Sequence, residues 1–307
     1  MTSTIVRMSK FGSMGRFGNQ LFQYAYCRQM ARRWHSRLEL PDWLGRELFA
    51  LPAHPLSAVA LPVLEEQAEH QHPRDYRLGF DADVQNCDVR GWFQYHTSVW
   101  KPYRSQWLEW FDLKNLDVIQ QLQPLTDRLL NARPRPTVIG LHLRRGDYGR
   151  GIFYVTPVTW YRTWLEENWD RFVNPLLVIA TESPELVAEF ARWNPITPQS
   201  CGVQLRAVPH TAYNYLARDL RQREPWQLDF FPDFWALTLA NVVLMPNSTF
   251  SFAAAMLGSP RECWRSSLPA GKFVPVDPWN DFPLQNTKAE DYAHLPGIQL
   301  THNPYWK

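Results

Sequence analysis

T-V-I-G-L-H-L-R-R-G-D-Y, residues 137–148, runs from a buried strand into a charged turn. The branched apolar residues of Thr137–Leu143 fit a strand in the interior of a sheet. Charge begins where the strand ends, with Arg144, Arg145 and Asp147. Downstream the pattern alternates. Pro157–Trp169 reads as a helix and Leu176–Ala180 as a strand. Pro184–Trp193 reads as a helix, Val203–Ala207 as a strand and Phe231–Ala240 as a helix. Val242–Met245 is then a strand and Thr249–Leu257 a helix, and the Pro-rich tail from Ser259 reads as irregular. Strands alternating with helices predict an α/β fold with a parallel sheet.

Upstream, the Pro-containing run Arg133–Pro136 marks a domain boundary, dividing the chain into 1–135 and 136–307. The first part opens the same way. Thr4–Lys10 is a short strand, Gly12, Gly15 and Gly18 punctuate a loop, and Asn19–Trp34 is a helix. Leu21, Tyr24, Ala25, Arg28 and Ala31 recur there at helical spacing. Arg37–Leu40 supplies the next strand and Arg90–Tyr95 another, while Gln106–Asn131 contains helical stretches. Residues 50–85, rich in Pro, His and Glu, give no clear element. The expected architecture is two Rossmann-like α/β halves facing a central cleft, with ligands outside the carboxyl ends of the strands.

The 307 residues are 45% hydrophobic and 20% charged, a composition of folded domains and not of disordered chains. A net charge of only +2, with acids and bases mixed, argues against a nucleic-acid binder. The 15 tryptophans suit core packing, a few of them sugar rings. Cys27, Cys87, Cys201 and Cys263 form no C-x-x-C pair, which disfavours zinc and a disulfide framework and fits a reducing compartment. No stretch approaches the roughly 18 apolar residues of a membrane span, and MTSTIVRMSKFG lacks the apolar segment of a secretory signal. A cytoplasmic protein is expected, with peripheral membrane association left open.

Three strand ends carry groups suited to an anionic ligand. In GSMGRFGNQ, residues 12–20, small residues admit close backbone approach and the loop opens a helix. It is neither G-x-x-x-x-G-K-[ST] nor G-x-G-x-x-G. Glu39, near the end of the next strand, keeps open a dinucleotide reading in which it holds a ribose; a tight turn without ligand is the plain alternative. In HLRRGDY, residues 142–148, fixed guanidinium groups suit a departing diphosphate, although a surface ion-pair cluster has the same composition. In VVLMPNSTFSFAAAML, residues 242–257, Asn247 or Ser248 is placed to cap a helix whose amino end favours phosphate. Asp81-Ala82-Asp83 has the spacing of a divalent-cation pair, but no strand leads into it, and it reads as a solvated loop, as His70 and His72 read as surface.

Taken together these residues resemble the α-1,2-fucosyltransferase family, and more distantly the protein-O- and α-1,6-fucosyltransferases. The family's Gly-rich turn into G-N-Q-x-F-Q-Y-A appears as GRFGNQLFQYA, its H-x-R-R-G-D-Y as HLRRGDY, and its N-S-[ST]-F-S-W-W as NSTFSFA. GWFQ at 91–94 is a weaker match to G-Y-[FW]-Q, and Asp233 heads the helix before the third motif. The resemblance implies a two-domain GT-B architecture and inverting, metal-independent transfer from GDP-fucose to a glycan hydroxyl. Arg144 would grip the β-phosphate, and Asp147 is a candidate base or a holder of the arginines. His142 and Arg145 would position the nucleotide, and Asp233 would meet the guanosine. Asn247, Ser248, Thr249 and Phe250 would hold the diphosphate and nucleoside. Gly15, Arg16, Phe17, Gly18 and Asn19 would face the donor from the first domain. Phe252-Ala253 replaces the family's Trp-Trp pair and Thr181-Glu182-Ser183 its Ser-Asp strand ending. The acceptor therefore stays open. So do a transferase for another GDP-sugar, a non-catalytic carbohydrate-binding protein and an NAD-dependent oxidoreductase.

Overall fold

The computed structural model describes residues 4–66, 80–203, 205, 228–298 and 300. Two compact units are present, one reaching to Ile119, the other comprising Gln120–Leu205 and the chain from Asp229. The division lies ahead of the Arg133–Pro136 run, because the helix and π-turn before that run pack with the second unit. Trp235 Nε1, for example, donates to Thr126 Oγ1 at 3.0 Å.

The first unit holds β1 (Ile5–Arg7), α1 (Phe17–Arg33), β2 (Arg37–Glu39), α2 (Leu44–Phe49), β3 (Val63–Glu65), β4 (Cys87–Arg90) and α3 (Arg104–Trp110). Its sheet has the order β2-β1-β4-β3, and every pair is parallel. α1 buries Leu21, Phe22, Tyr24, Ala25 and Tyr26 completely. The strand expected over Arg90–Tyr95 ends at Arg90. Phe93 takes φ 51°, which no strand accommodates.

The second unit holds α4 (Leu116–Thr126), which begins at the boundary, then β5 (Thr137–Leu143), α5 (Val158–Asn168), β6 (Pro175–Thr181), α6 (Phe231–Leu239), β7 (Val242–Met245), α7 (Thr249–Gly258), β8 (Glu262–Ser267) and β9 (Lys272–Pro275). The order is β6-β5-β7-β8-β9, parallel except for the last pair. Alternation along β5 sends Ile139, Leu141 and Leu143 into a core with Tyr161, Trp164, Leu165 and Phe190. Each such buried side chain contributes about 1.5–3 kcal/mol. The opposite face carries His142 toward α7 and Gly140 under α6. A β-carbon on Gly140 would lie 3.0 Å from Ala240 Cβ, so the glycine permits close packing of α6 on the sheet.

The tail from Ser259 is not irregular: it contributes β8 and β9. Arg265 breaks the apolar pattern of β8, yet it is 2% exposed and its guanidinium meets Asp281 at 2.8 Å and the Phe282 carbonyl. The stretch 184–193 is a 3-10 helix. Most of the strand expected over Val203–Ala207 lies outside the described residues, as do His70 and His72.

Candidate active site

In the second unit the chain goes from β5 to β6 on one side and returns through β7 on the other. The strand order therefore reverses between β5 and β7, and ligands of open α/β sheets bind beyond the carboxyl ends at such a point. HLRRGDY leaves β5 there and PNSTF leaves β7, so two of the three motifs meet at one edge.

Arg144 is clamped from two sides. Its guanidinium forms an ion pair with Asp147 three residues on, and Nη1 donates to Glu182 Oε1 at 2.9 Å. The same Glu182 oxygen accepts from the Arg145 backbone N–H at 2.8 Å. Gly146 turns the chain at φ 45°, and a β-carbon there would come within 3.0 Å of Glu182 Oε1. Burial pulls the Arg144 pKa down, but Glu182 and Asp147 outweigh it and raise the net value, so the guanidinium is a permanent cation. It also lies over the Tyr148 ring, 5.2 Å from the centroid. Glu182 escapes a reading of sequence because only the register of β5 and β6, Leu143 opposite Thr181, brings it to Arg144. Its place one residue past a strand end is the one available signal.

His142 is 4% exposed and shares a 2.9 Å hydrogen bond between Nδ1 and Ser251 Oγ of α7. Burial, and then Arg144 and Arg145, push its pKa down to about 3, so the ring is neutral. Its ring lies 5.2 Å from Phe250, which also meets Phe234 at 5.2 Å. Tyr161 donates to the His142 carbonyl at 2.7 Å, tying the strand end to α5.

Ser248 occupies the N-cap of α7 in extended conformation, but its side chain makes no capping bond. Asn247 does not cap either. It is fully buried, its Nδ2 donates to the carbonyls of Ile152 (2.8 Å) and Gln285 (2.9 Å), and its Oδ1 accepts from Gln285 N–H (2.7 Å). The ligand-holding role expected of Asn247 is thus replaced by a brace, because three backbone groups consume its amide. Tyr148 adds a bond to the Asn247 carbonyl at 3.0 Å, and burial drives its phenol up to about 12. Thr249 and Phe250 open the helix beside it.

Asp233, in the first turn of α6, has Oδ1 sealed from water with no hydrogen-bond partner among the described residues. The backbone N–H of Thr181 donates to its carboxyl group, but burial, with Glu182 and Asp229 adding repulsion, raises the pKa to about 8. An orphaned buried acceptor at a sheet edge fits a ligand's N–H groups.

In the first unit the order also reverses, between β1 and β4. Gly15 takes φ 84°, and a β-carbon on it would strike Asn19 Nδ2 at 1.9 Å. Arg16 sits at the N-cap of α1, followed by Phe17, Gly18 and Asn19 in its first turn. Asn19 Oδ1 accepts from Gln94 Nε2 at 2.6 Å. Phe17 is 5% exposed and packs on Phe49, so it serves the core and not the donor. Glu39 cannot hold a ribose, because it is wholly buried, paired with Arg7 and Arg37, and accepts from Ser57 N–H. That removes the residue on which the dinucleotide reading stood. Asp81 is 95% exposed against Arg33, and Asp83 turns back on the Gln85 N–H. Among the described residues no group of three or more His, Cys, Asp or Glu side chains is placed to hold a metal.

No protein-family model matches the chain. Over 288 residues it is 27% identical to galactoside alpha-(1,2)-fucosyltransferase 1 of Alouatta caraya, covering 85% of this chain and 69% of that one. The protein of the same name from Pan troglodytes is 27% identical over 292 residues with the same coverage. Among solved structures, fucosyltransferase NodZ from Bradyrhizobium aligns with 91% of this chain and 100% of its own, at 12% identity and a TM-score of 0.53. FUT1 of Arabidopsis thaliana, a variant in complex with GDP, aligns with 97% of this chain and 78% of its own, at 13% identity and a TM-score of 0.56. The fold is therefore the GT-B-like α/β fold expected; the second sheet has a doubly wound strand order, while the first, β2-β1-β4-β3, departs from it.

Proposed function

We propose that this chain, a relative of the fucosyltransferases in sequence and in fold, moves fucose from GDP-fucose onto a glycan hydroxyl with inversion, and that the acceptor is a galactoside linked α-1,2. The observation that carries the reading is the meeting of Arg144, neutral His142, the amino end of α7, which no side chain of its N-cap residue closes, and the Asp233 Oδ1 at one sheet edge. The acceptor oxygen adds to the fucose anomeric carbon while the bond from that carbon to the β-phosphate oxygen breaks. GDP leaves with the electron pair, and the acceptor proton passes to a base. Arg144 meets the charge that grows on the β-phosphate, and the amino end of α7 receives the other phosphate oxygens. Asp233 accepts from guanine N–H groups, for which its unsatisfied oxygen is suited. Asp147, engaged with Arg144, holds that guanidinium in place; because the acceptor attacks from the face opposite the departing phosphate, its proton leaves to a base or water on the acceptor side.

In this reading no metal is needed, since guanidinium and helix dipole supply the positive charge that a divalent ion supplies elsewhere. Cys27, Cys87, Cys201 and Cys263 as free thiols fit work in the cytoplasm. The test is calorimetric titration with GDP, GDP-fucose, GDP-mannose, UDP and NAD, with and without EDTA. Binding of GDP and GDP-fucose that survives EDTA is expected. Binding of NAD alone, or of no nucleotide by folded protein, overturns the reading. Arg144→Ala is expected to lower kcat about 100- to 1000-fold while the protein stays folded, and Arg144→Lys to be poor as well, because the bidentate fork is lost. Turnover near wild type in Arg144→Ala removes the role given to it.

A further inference from the structure

The switch point of the first unit carries a second constellation, which shares Asn19 with the loop expected to face the donor and adds Trp92, to which the donor reading gives no role. β1 runs into the Gly15–Asn19 loop, and its neighbour β4 runs into Gly91-Trp92-Phe93-Gln94. The two loops are joined by the bond from Gln94 Nε2 to Asn19 Oδ1 and by Gln23 Nε2, which donates to the carbonyls of Met14 (2.8 Å) and Gly91 (3.2 Å). Trp92 alone of its stretch faces outward. It is 37% exposed, while Phe93 is wholly buried and Gln94 nearly so.

The backbone is held so that this is the only outcome. Glu66 Oε2 accepts from the N–H groups of both Trp92 (2.6 Å) and Phe93 (3.1 Å). Phe93 is pinned at φ 51°, a left-handed conformation that a bulky side chain resists, by stacking on Tyr26 with ring centroids 4.0 Å apart and planes at 7°. Reversing the chain at Phe93 sends that ring inward and leaves its predecessor at the surface. The indole is also seated. A β-carbon on Gly15 would lie 2.7 Å from Trp92 Cζ3, so the glycine makes room for the ring edge beside Asn19.

We infer that Trp92 is the floor of a pyranose subsite, and that the sugar it takes is a ring of the glycan acceptor. A pyranose has an apolar face of C–H groups and a rim of hydroxyls. An indole face attracts the first through its negative quadrupole, and the Asn19–Gln94 amide pair meets the second. A flat ring with amides at its edge, beyond the carboxyl ends of parallel strands where the order reverses, is the place and chemistry for such a ligand. Assignment to the acceptor rests on the transferase reading; the sugar platform itself does not.

The probe is methyl β-galactopyranoside, observed by saturation-transfer NMR without nucleotide. The wild type is expected to saturate its ring C–H protons, Trp92→Tyr to retain the effect, and Trp92→Ala to lose it at least fivefold. An unchanged circular-dichroism spectrum and urea-unfolding midpoint verify that the first unit of Trp92→Ala is folded. Equal transfer in wild type and Trp92→Ala, or none in the wild type, overturns the platform. In turnover with lactose, Trp92→Ala is expected to raise the acceptor KM at least tenfold with the GDP-fucose KM within twofold. A rise confined to GDP-fucose overturns the acceptor assignment. Failure of the wild type to bind GDP-fucose, with transfer dependent on Trp92 intact, sinks the donor reading and leaves the platform standing.

Discussion

At the scale of single residues the sharpest consequence lies with Asp233. An ordinary aspartate titrates near 3.8, and burial raises this one to about 8. Between those values the folded state holds a proton that the unfolded chain has given up. Stability from this group is therefore fully present below the lower value and falls as pH rises through the higher one, at up to about 1.4 kcal/mol per pH unit. Asp233→Asn is expected to flatten that slope and to raise the midpoint of urea unfolding at pH 8, when scanned from pH 5 to 8.5. Ligand binding has the opposite sign, because guanine N–H groups require the ionised carboxylate. GDP affinity is expected to weaken on acidification below pH 8, by up to about tenfold per unit, and to lose that dependence in Asp233→Asn. An affinity as steep in the variant as in the wild type contradicts the assignment. Neutral His142 and cationic Arg144 contribute no such slope between pH 5 and 8, and the slope from the second ionisation of GDP's own phosphate is common to wild type and variant, so the difference between the two is the readout.

At the scale of elements, the turn from β7 into α7 is built by Asn247. Its side chain bridges the 152 turn and the 285 segment through three hydrogen bonds. Asn247→Ala leaves those backbone groups unmatched in the interior and is expected to cost about 1–3 kcal/mol, read by urea denaturation, with GDP affinity reduced as the helix start loosens. A loss of affinity without loss of stability instead returns Asn247 to the ligand. This element also shows what can be read from a chain. Val242–Met245 and Thr249 were legible as strand end and helix start because their pattern is local. The identity of the capping group was not, because the bonds that consume Asn247 come from residues far away in sequence. The same holds for Glu182, placed by strand register, and for β8, whose apolar alternation is broken by an arginine neutralised only after the chain has folded back. β5, buried from Val138 to Leu143 and covered on both faces, was read with its observed limits.

At the scale of the molecule, each compact unit has its own sheet, parallel but for the β8–β9 pair, and each reverses strand order where a Gly-bearing loop leaves its first strand. The reading distributes nucleotide to the second unit, which makes a prediction for the whole chain. In hydrogen-exchange mass spectrometry, GDP is expected to slow exchange over residues 142–150, 229–235 and 246–252. Protection confined to residues 8–20 instead would move the nucleotide to the first unit and revive the dinucleotide alternative. The two-domain α/β plan was legible because strand and helix periods alternate through both halves. The partition at Ile119 was not, since a helix carries no mark of which core its apolar side will join.

The carboxylate pair around Arg144 has one more effect. With Asp147 and Glu182 both against Arg144, that guanidinium is matched by two carboxylates in the resting turn. Stray monovalent anions gain little at Arg144 by displacing a carboxylate that is already well placed. A ligand must bring several oxygens at once, anchored elsewhere by its base, to win that exchange. On the proposed reading such a site acts as a threshold device, in which Arg144 exchanges its carboxylates for a complete nucleoside diphosphate and not for a small anion.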